Sequence, residues 1–151
     1  MRKKILLPIL TVFLLTFFLK NGVIFAQDLS GGLALPIPVS DKNVKDGDII
    51  TVTSKGYKLS TYAYDPSVYG VVTANPAVYL KDTTGKSTLV IHSGKTLVRV
   101  STIKGPIKRN DLITSSEIPG AGEKADANGF VLGLALEDYT NSNPNAIGKI
   151  M

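Results

Sequence analysis

Val44-Lys45-Asp46-Gly47-Asp48-Ile49-Ile50-Thr51 and Ile107-Lys108-Arg109-Asn110-Asp111-Leu112-Ile113-Thr114 repeat one pattern 63 residues apart. Val68-Tyr69-Gly70-Val71-Val72 and Val131-Leu132-Gly133-Leu134-Ala135 repeat a second pattern at the same offset. Two motifs sharing one spacing mark a tandem duplication, with unit one over about 44–102 and unit two over about 107–151. Gly47 and Asn110 are the residue types that best tolerate positive φ, so each is expected at the bend of a turn. Asp48 and Asp111 follow as acceptors for backbone N–H groups, and Ile-Ile-Thr and Leu-Ile-Thr then enter strands. Gly70 and Gly133 lie inside strand patterns, where glycine marks a bulge, a bend or a close backbone approach.

Outward from these motifs the chain reads as β throughout. Short β-branched or aromatic runs are bounded by Gly, Pro, Asn and Asp. Strands are expected at Ile49–Ser54, Tyr57–Thr61, Val68–Thr73, Ala77–Leu80, Thr88–His92, Thr96–Thr102, Leu112–Ser115 and Phe130–Glu137. Ser93-Gly94-Lys95 reads as a tight hairpin turn, and Gly120-Ala121-Gly122 as a loop. Pro36 and Pro38 make residues 27–43 an extended linker or edge segment, because proline cannot serve a central ladder. A lone unit of about 60 residues would have a marginal core. The expected fold is therefore all-β: one compact antiparallel barrel or sandwich built from the two repeats, with Val68, Val71 and Leu97 meeting Ile113, Val131 and Leu134. Unit two reaches Gly148-Lys149-Ile150-Met151 with a last strand barely begun, which reads either as a stub or as a C-terminal truncation.

Ahead of this body stand Arg2-Lys3-Lys4 and the uncharged run Ile5–Leu19, then Lys20 and Val23-Ile24-Phe25-Ala26-Gln27. Residues 1–26 fit a signal peptide cleaved near Gln27. They also fit a retained transmembrane helix, since 22 residues from Ile5 to Ala26 could cross a bilayer. Either way the basic start stays cytoplasmic and the body faces outward. The localisation implied is the cell membrane or the extracellular face of a bacterial envelope.

Composition narrows the chemistry. The chain has 17 basic and 12 acidic residues, a formal charge of +5. Four of the basic residues (Arg2, Lys3, Lys4 and Lys20) fall in the leader, so the body is almost neutral. Nucleic acid is not an expected partner, because phosphate binding needs clustered excess Lys and Arg. With no Cys and one His, neither a metal site nor a cofactor is expected. Asp41 to Asp48 has the density of a calcium loop, but Lys45 stands where an acidic ligand belongs. Glu137 and Asp138 are adjacent in a strand and point to opposite faces, a poor acid/base pair. Ser115 or Ser116 could serve as a nucleophile only with His92 or a lysine as base. No catalytic residue is assigned. Five of the six tyrosines fall between Tyr57 and Tyr79. Tyr57, Tyr62, Tyr64 and Tyr69 are the candidate binding residues, since tyrosine is rigid, amphipathic and enriched at interfaces.

Gly47-Asp48-Ile49-Ile50, Tyr64-Asp65-Pro66-Ser67-Val68-Tyr69-Gly70-Val71-Val72, Val98-Arg99-Val100-Ser101-Thr102, Asp111-Leu112-Ile113-Thr114-Ser115-Ser116-Glu117-Ile118-Pro119-Gly120 and Gly133-Leu134-Ala135-Leu136-Glu137-Asp138-Tyr139 together carry a resemblance. Over roughly Gly47 to Lys149 the chain resembles a β domain of uncharacterised envelope proteins of candidate-phylum bacteria. More loosely, it resembles the C-terminal autoproteolytic chaperone domain of phage tail appendages. The first resemblance implies a scaffold followed by further strand and membrane helices, with no biochemical activity. The second implies self-cleavage, although no catalytic residue of that family maps onto this chain. The expected function is a non-enzymatic extracytoplasmic β module for assembly or adhesion, with a protein partner or its own copies. The alternatives are a self-cleaving chaperone-like domain and a glycan-binding module.

Overall fold

The computed structural model describes residues 30–151 other than Thr84. The expected signal or transmembrane helix lies outside these residues. Among the described residues no helix is long and apolar enough to cross a membrane. The described residues form eleven strands in two sheets, one of them curled into a half-barrel. They are β1 (Ser30–Ile37), β2 (Ile49–Thr53), β3 (Gly56–Leu59), β4 (Val68–Val72), β5 (Pro76–Tyr79), β6 (Thr88–Lys95), β7 (Val98–Val100), β8 (Leu112–Ser115), β9 (Gly122–Lys124), β10 (Gly133–Leu134) and β11 (Gly148–Ile150). The first sheet has the order β3-β2-β4-β6-β1-β5 and the second β10-β8-β9-β7-β11. Most pairs are antiparallel; β1–β5 and β7–β9 are parallel.

The two repeat motifs adopt one backbone design. In unit one Ile49 pairs with Val71 and Ile50 with Gly70; in unit two Leu112 pairs with Leu134 and Ile113 with Gly133. The turns match bond for bond. Lys45 N–H donates to Asp48 Oδ2 at 2.6 Å, and Lys108 N–H donates to Asp111 Oδ2 at 2.8 Å. Gly47 N–H reaches Val72 O at 2.9 Å, as Asn110 N–H reaches Ala135 O at 2.8 Å. Gly47 and Asn110 both hold positive φ, at 90° and 72°. Asn110 tolerates this region better than most side chains, and glycine has no steric objection to it.

One core is shared by the two units. Ile49, Val71, Val98 and Val100 from unit one meet Ile107, Ile113, Ala135 and Ile150 from unit two. A second cluster of Ile37, Ile50, Val72 and Val90 forms on the opposite face of the first sheet. Alternation along β2 sends Ile49 into one cluster and Ile50 into the other. Val71 and Ile113 are buried as expected and Val68 is half-buried. Leu97 is only half-buried, and Val131 and Leu134 are exposed. In unit two the inward phase falls on Leu132 and Ala135 instead.

Three further expectations are corrected. Residues 27–43 are not wholly a linker or edge: β1 lies between β6 and β5. Pro36 is tolerated because β5 pairs only as far as Ala34, so nothing on that side needs a donor from Pro36. Ser93-Gly94-Lys95 is not a hairpin turn; β6 continues through it past a register shift, pairing Ile91 with Ala34, then Gly94 with Gly32 and Lys95 with Gly31. A Cβ at Gly94 would overlap the Gly31 carbonyl oxygen, so this glycine permits strand contact rather than chain reversal. Gly122, expected in a loop, starts β9.

The turn at Lys45–Asp48 docks the first sheet on the second. Gly47 O accepts Arg99 N–H at 2.9 Å, and the Arg99 guanidinium pairs with the fully buried Asp48 carboxylate. Ile49 N–H donates to Gly120 O at 2.8 Å, and Lys149 Nζ pairs with Asp46 at 2.7 Å.

Candidate functional site

An open apolar groove runs along β10. Its volume is about 260 Å³, and its walls include Val71 and Ile91 from the first sheet and Leu132, Leu134 and Met151 from the second part of the chain. Leu134 and Leu136 in its lining are exposed, and so are Leu112, paired with Leu134 across the ladder, and Phe130 and Val131, which precede β10 in the chain. Such apolar surface is a candidate interaction site.

The repeat explains how the groove arises. β4 is covered on both sides, by β2 and β6, whereas β10 is paired only with β8 among the described residues. The consequence shows in matched residues: Val71 is 3% exposed, and its counterpart Leu134 is 56% exposed. Gly70 is closed in by β6, where an added Cβ would overlap the Ile91 carbonyl oxygen; Gly133 has nothing within 4 Å. Reading the sequence did not anticipate this groove. The repeat held a signal for it: at the offset of 63 the counterpart of Thr88 is Met151, so no segment among the described residues matches β6 beside β10.

The candidate tyrosines do not form one face. Tyr57 and Tyr69 stack edge-on at 5.0 Å against the second core cluster, with the His92 ring 5.2 Å beyond Tyr69. Tyr62 is exposed. Tyr64 is used internally: its hydroxyl accepts N–H groups from Asp126 (2.7 Å) and Ala127 (2.8 Å) and donates to Asp126 Oδ1 at 2.8 Å. That bond, with Lys104 beside it, holds the Asp126 carboxyl below its usual range. Tyr64 thus ties the loop before β4 to the loop after β9, bracing the two units.

Ser115, Asp65 and His92 line a smaller cavity of about 170 Å³. Their hydrogen bonds do not form a relay. Ser115 Oγ accepts Asp65 N–H at 2.9 Å, Asp65 Oδ2 accepts the Ser60 hydroxyl at 3.1 Å, and His92 Nδ1 faces the Tyr69 carbonyl oxygen. Ser116 is fully buried and donates to Ala121 O at 2.8 Å. A nucleophilic serine needs a base aimed at its oxygen, and neither hydroxyl has one here. Asp138, placed in sequence beside Glu137, accepts Arg109 N–H at 2.8 Å and Lys108 Nζ at 3.1 Å, serving the second turn. No three His, Asp or Glu side chains converge as a metal site among the described residues.

Glu123 on β9 is buried, and its Oε1 has no hydrogen-bond partner. Burial pushes its carboxyl above the usual range, opposed by the charge of Lys104. A raised folded pKa means that stability is fullest below the unfolded pKa and falls as pH rises through the folded value. Glu123→Gln is therefore expected to raise the urea midpoint at pH 7 and to leave it nearly unchanged at about pH 3.5. Denaturation curves at the two pH values check this.

Comparison with protein-family models, with curated proteins and with solved structures finds no match for this chain.

Proposed function

We propose that the chain is a non-enzymatic, exported β module that serves assembly or adhesion at a bacterial envelope and engages a protein partner through the β10 face. The observation that carries this reading is the exposed apolar pair Leu134 and Leu136 lining the groove, with Leu112 across the ladder from Leu134 and exposed Phe130 and Val131 just before β10, where they line the neighbouring smaller cavity. Large apolar side chains held in water cost free energy unless a partner covers them. The leader pattern Arg2-Lys3-Lys4 followed by Ile5–Leu19 supports export. Cell fractionation with N-terminal sequencing tests the export half. The protein is expected in the membrane, or outside the cytoplasm with a new N-terminus near Gln27; a soluble cytoplasmic protein retaining Met1 would overturn it. Crosslinking on intact cells tests the docking half, with Leu134→Asp expected to remove the crosslinked species.

The shared cavity of Ser115, Asp65 and His92 favours self-cleavage as the second reading. Purified protein incubated for days and run on a denaturing gel is expected to stay one band. Two fragments that disappear on Ser115→Ala or Ser116→Ala would establish the chaperone-like activity instead.

A further inference from the structure

We propose that Asn128-Gly129 is a self-modifying site: the Gly129 backbone nitrogen attacks the Asn128 side-chain amide, and the isoaspartyl product releases the brace that Tyr64 makes between the two units. The dipeptide is exposed in the loop between β9 and β10. The Gly129 nitrogen gives its proton to solvent base and bonds to Asn128 Cγ. The Cγ–Nδ2 bond breaks, and Nδ2 takes a proton back and leaves as ammonia, closing a cyclic imide. Water then opens the ring. Cleavage of the new nitrogen–Cγ bond gives aspartate at 128. Cleavage of the bond to the main-chain carbonyl carbon gives isoaspartate, with the chain routed through Cβ and Cγ. Water is the one co-reactant, and nothing is oxidised or reduced.

Hydrogen bonding singles this dipeptide out. Among the described residues Gly129 N–H has no acceptor and the Asn128 amide has no partner, so nucleophile and target are both free. Glycine has no side chain to hinder the approach. Asp46-Gly47 could close the same imide but is held at both atoms. Gly47 N–H donates to Val72 O at 2.9 Å, and the Asp46 carboxylate accepts Ala74 N–H at 2.8 Å and Lys149 Nζ at 2.7 Å. Asn75 and Asn143 precede proline, which has no N–H to attack with. The N–H groups after Asn110 and Asn145 donate to Lys108 O and Asn143 O. Asn141 uses its amide on Asn143 N–H and the Tyr139 hydroxyl, and Val44 after Asn43 is β-branched and stiff. The loop also has no slack for an isoaspartate. On one side of the dipeptide the Tyr64 hydroxyl takes Asp126 N–H and Ala127 N–H; on the other, Phe130 O accepts the Thr114 hydroxyl at 2.7 Å. Between these anchors Gly129 lies against the Tyr64 ring, where an added Cβ would stand 2.5 Å from Cδ1. One extra main-chain atom in that interval displaces the Tyr64 hydroxyl or Phe130.

The test ages the full chain for weeks in mildly alkaline buffer and maps it by digestion and mass spectrometry. The peptide holding Asn128 is expected to gain one mass unit and to accept methyl groups from an isoaspartyl methyltransferase, while the peptide holding Asp46 accepts none. Mapping keeps this signal apart from Asn21-Gly22, which lies outside the described residues. In urea the unfolded chain should form isoaspartate at both 46 and 128, because the bonds that hold Asp46-Gly47 are gone. Asn128→Gln must close a larger ring, so the change at 128 should slow at least about tenfold, with the melting temperature of fresh protein unaltered. In the isoaspartyl form the amides of Asp126 and Ala127 should lose hydrogen-exchange protection. Fresh Asn128→Asp carries the new charge without the extra chain atom and should keep that protection. An Asn128 that stays intact in the folded protein yet converts in urea would overturn the site, as would equal isoaspartate at 46 and 128 in the folded chain. Isoaspartate at 128 with full protection at Asp126 and Ala127 would overturn the release of the brace.

Discussion

Asp48→Ala is expected to destabilise the protein by about 3–5 kcal/mol, the cost of leaving one member of a buried ion pair unpartnered. Asp48 is fully buried where the turn of unit one meets β7. Its Oδ2 satisfies Lys45 N–H, and its Oδ1 is the partner of the Arg99 guanidinium, which is itself mostly buried. Alanine removes both acceptors and leaves a charged Arg99 against the core residues Val98 and Val100. Asp111→Ala is the internal control. Asp111 performs the same turn-closing bond to Lys108 N–H, but its other partner, Lys124, lies at the surface at 2.8 Å. Lys124 and the turn hold its carboxyl below the usual range, so its contribution is present above the unfolded pKa and fades as pH falls through the lowered folded value. Its loss at pH 7 should be much smaller, because solvent screens an exposed pair. Urea denaturation of the two variants side by side reads the difference. Equal losses would show that the turn bond alone matters and that the Asp48–Arg99 pair contributes nothing.

Gly70→Ala is expected to cost about 3 kcal/mol or more, at the upper end of what overpacking does. The new methyl would overlap the Ile91 carbonyl oxygen and lie 2.9 Å from Val90 Cγ1. Relief requires moving β6, the centre of the first sheet, away from β4. That motion would open both core clusters, since Val71 and Val72 of β4, the strand that β6 would leave, belong to one cluster and the other. Backbone amides of β4 and β6 should lose hydrogen-exchange protection first. Protection equal to that of the parent protein would mean that the ladder at Gly70 is looser than the geometry says.

How far each feature could be read from the chain depended on how local its cause was. The turn at Gly47-Asp48 and its copy at Asn110-Asp111 were legible because a tolerated positive φ and a side-chain acceptor act within four residues. The strands after each turn were legible for the same reason, since alternation and β-branched residues announce them. Val131 and Leu134 were expected inside and lie outside. Their pattern marks them as strand residues, but whether a strand face is covered depends on a neighbour that the pattern does not name. Proximity in sequence likewise suggested one tyrosine face. In the fold Tyr57 and Tyr69 share a cluster, while Tyr64 turns to Asp126, sixty-two residues away.

The sequence by itself determined that the body is β, that two units share one design, and that their turns close through Asp48 and Asp111. These follow from backbone sterics and short-range hydrogen bonding, which every residue carries with it. Only the tertiary structure decided that β1 lies between β6 and β5, that Ser93–Lys95 continues a strand, and that Ser115 and His92 share a cavity without meeting. It also decided that Asp48 is buried while Asp111 is not, and that β10 is bordered only by β8 among the described residues. Each of these is a choice of non-local partner, set by which apolar faces can be covered at once and by where one backbone leaves room for another.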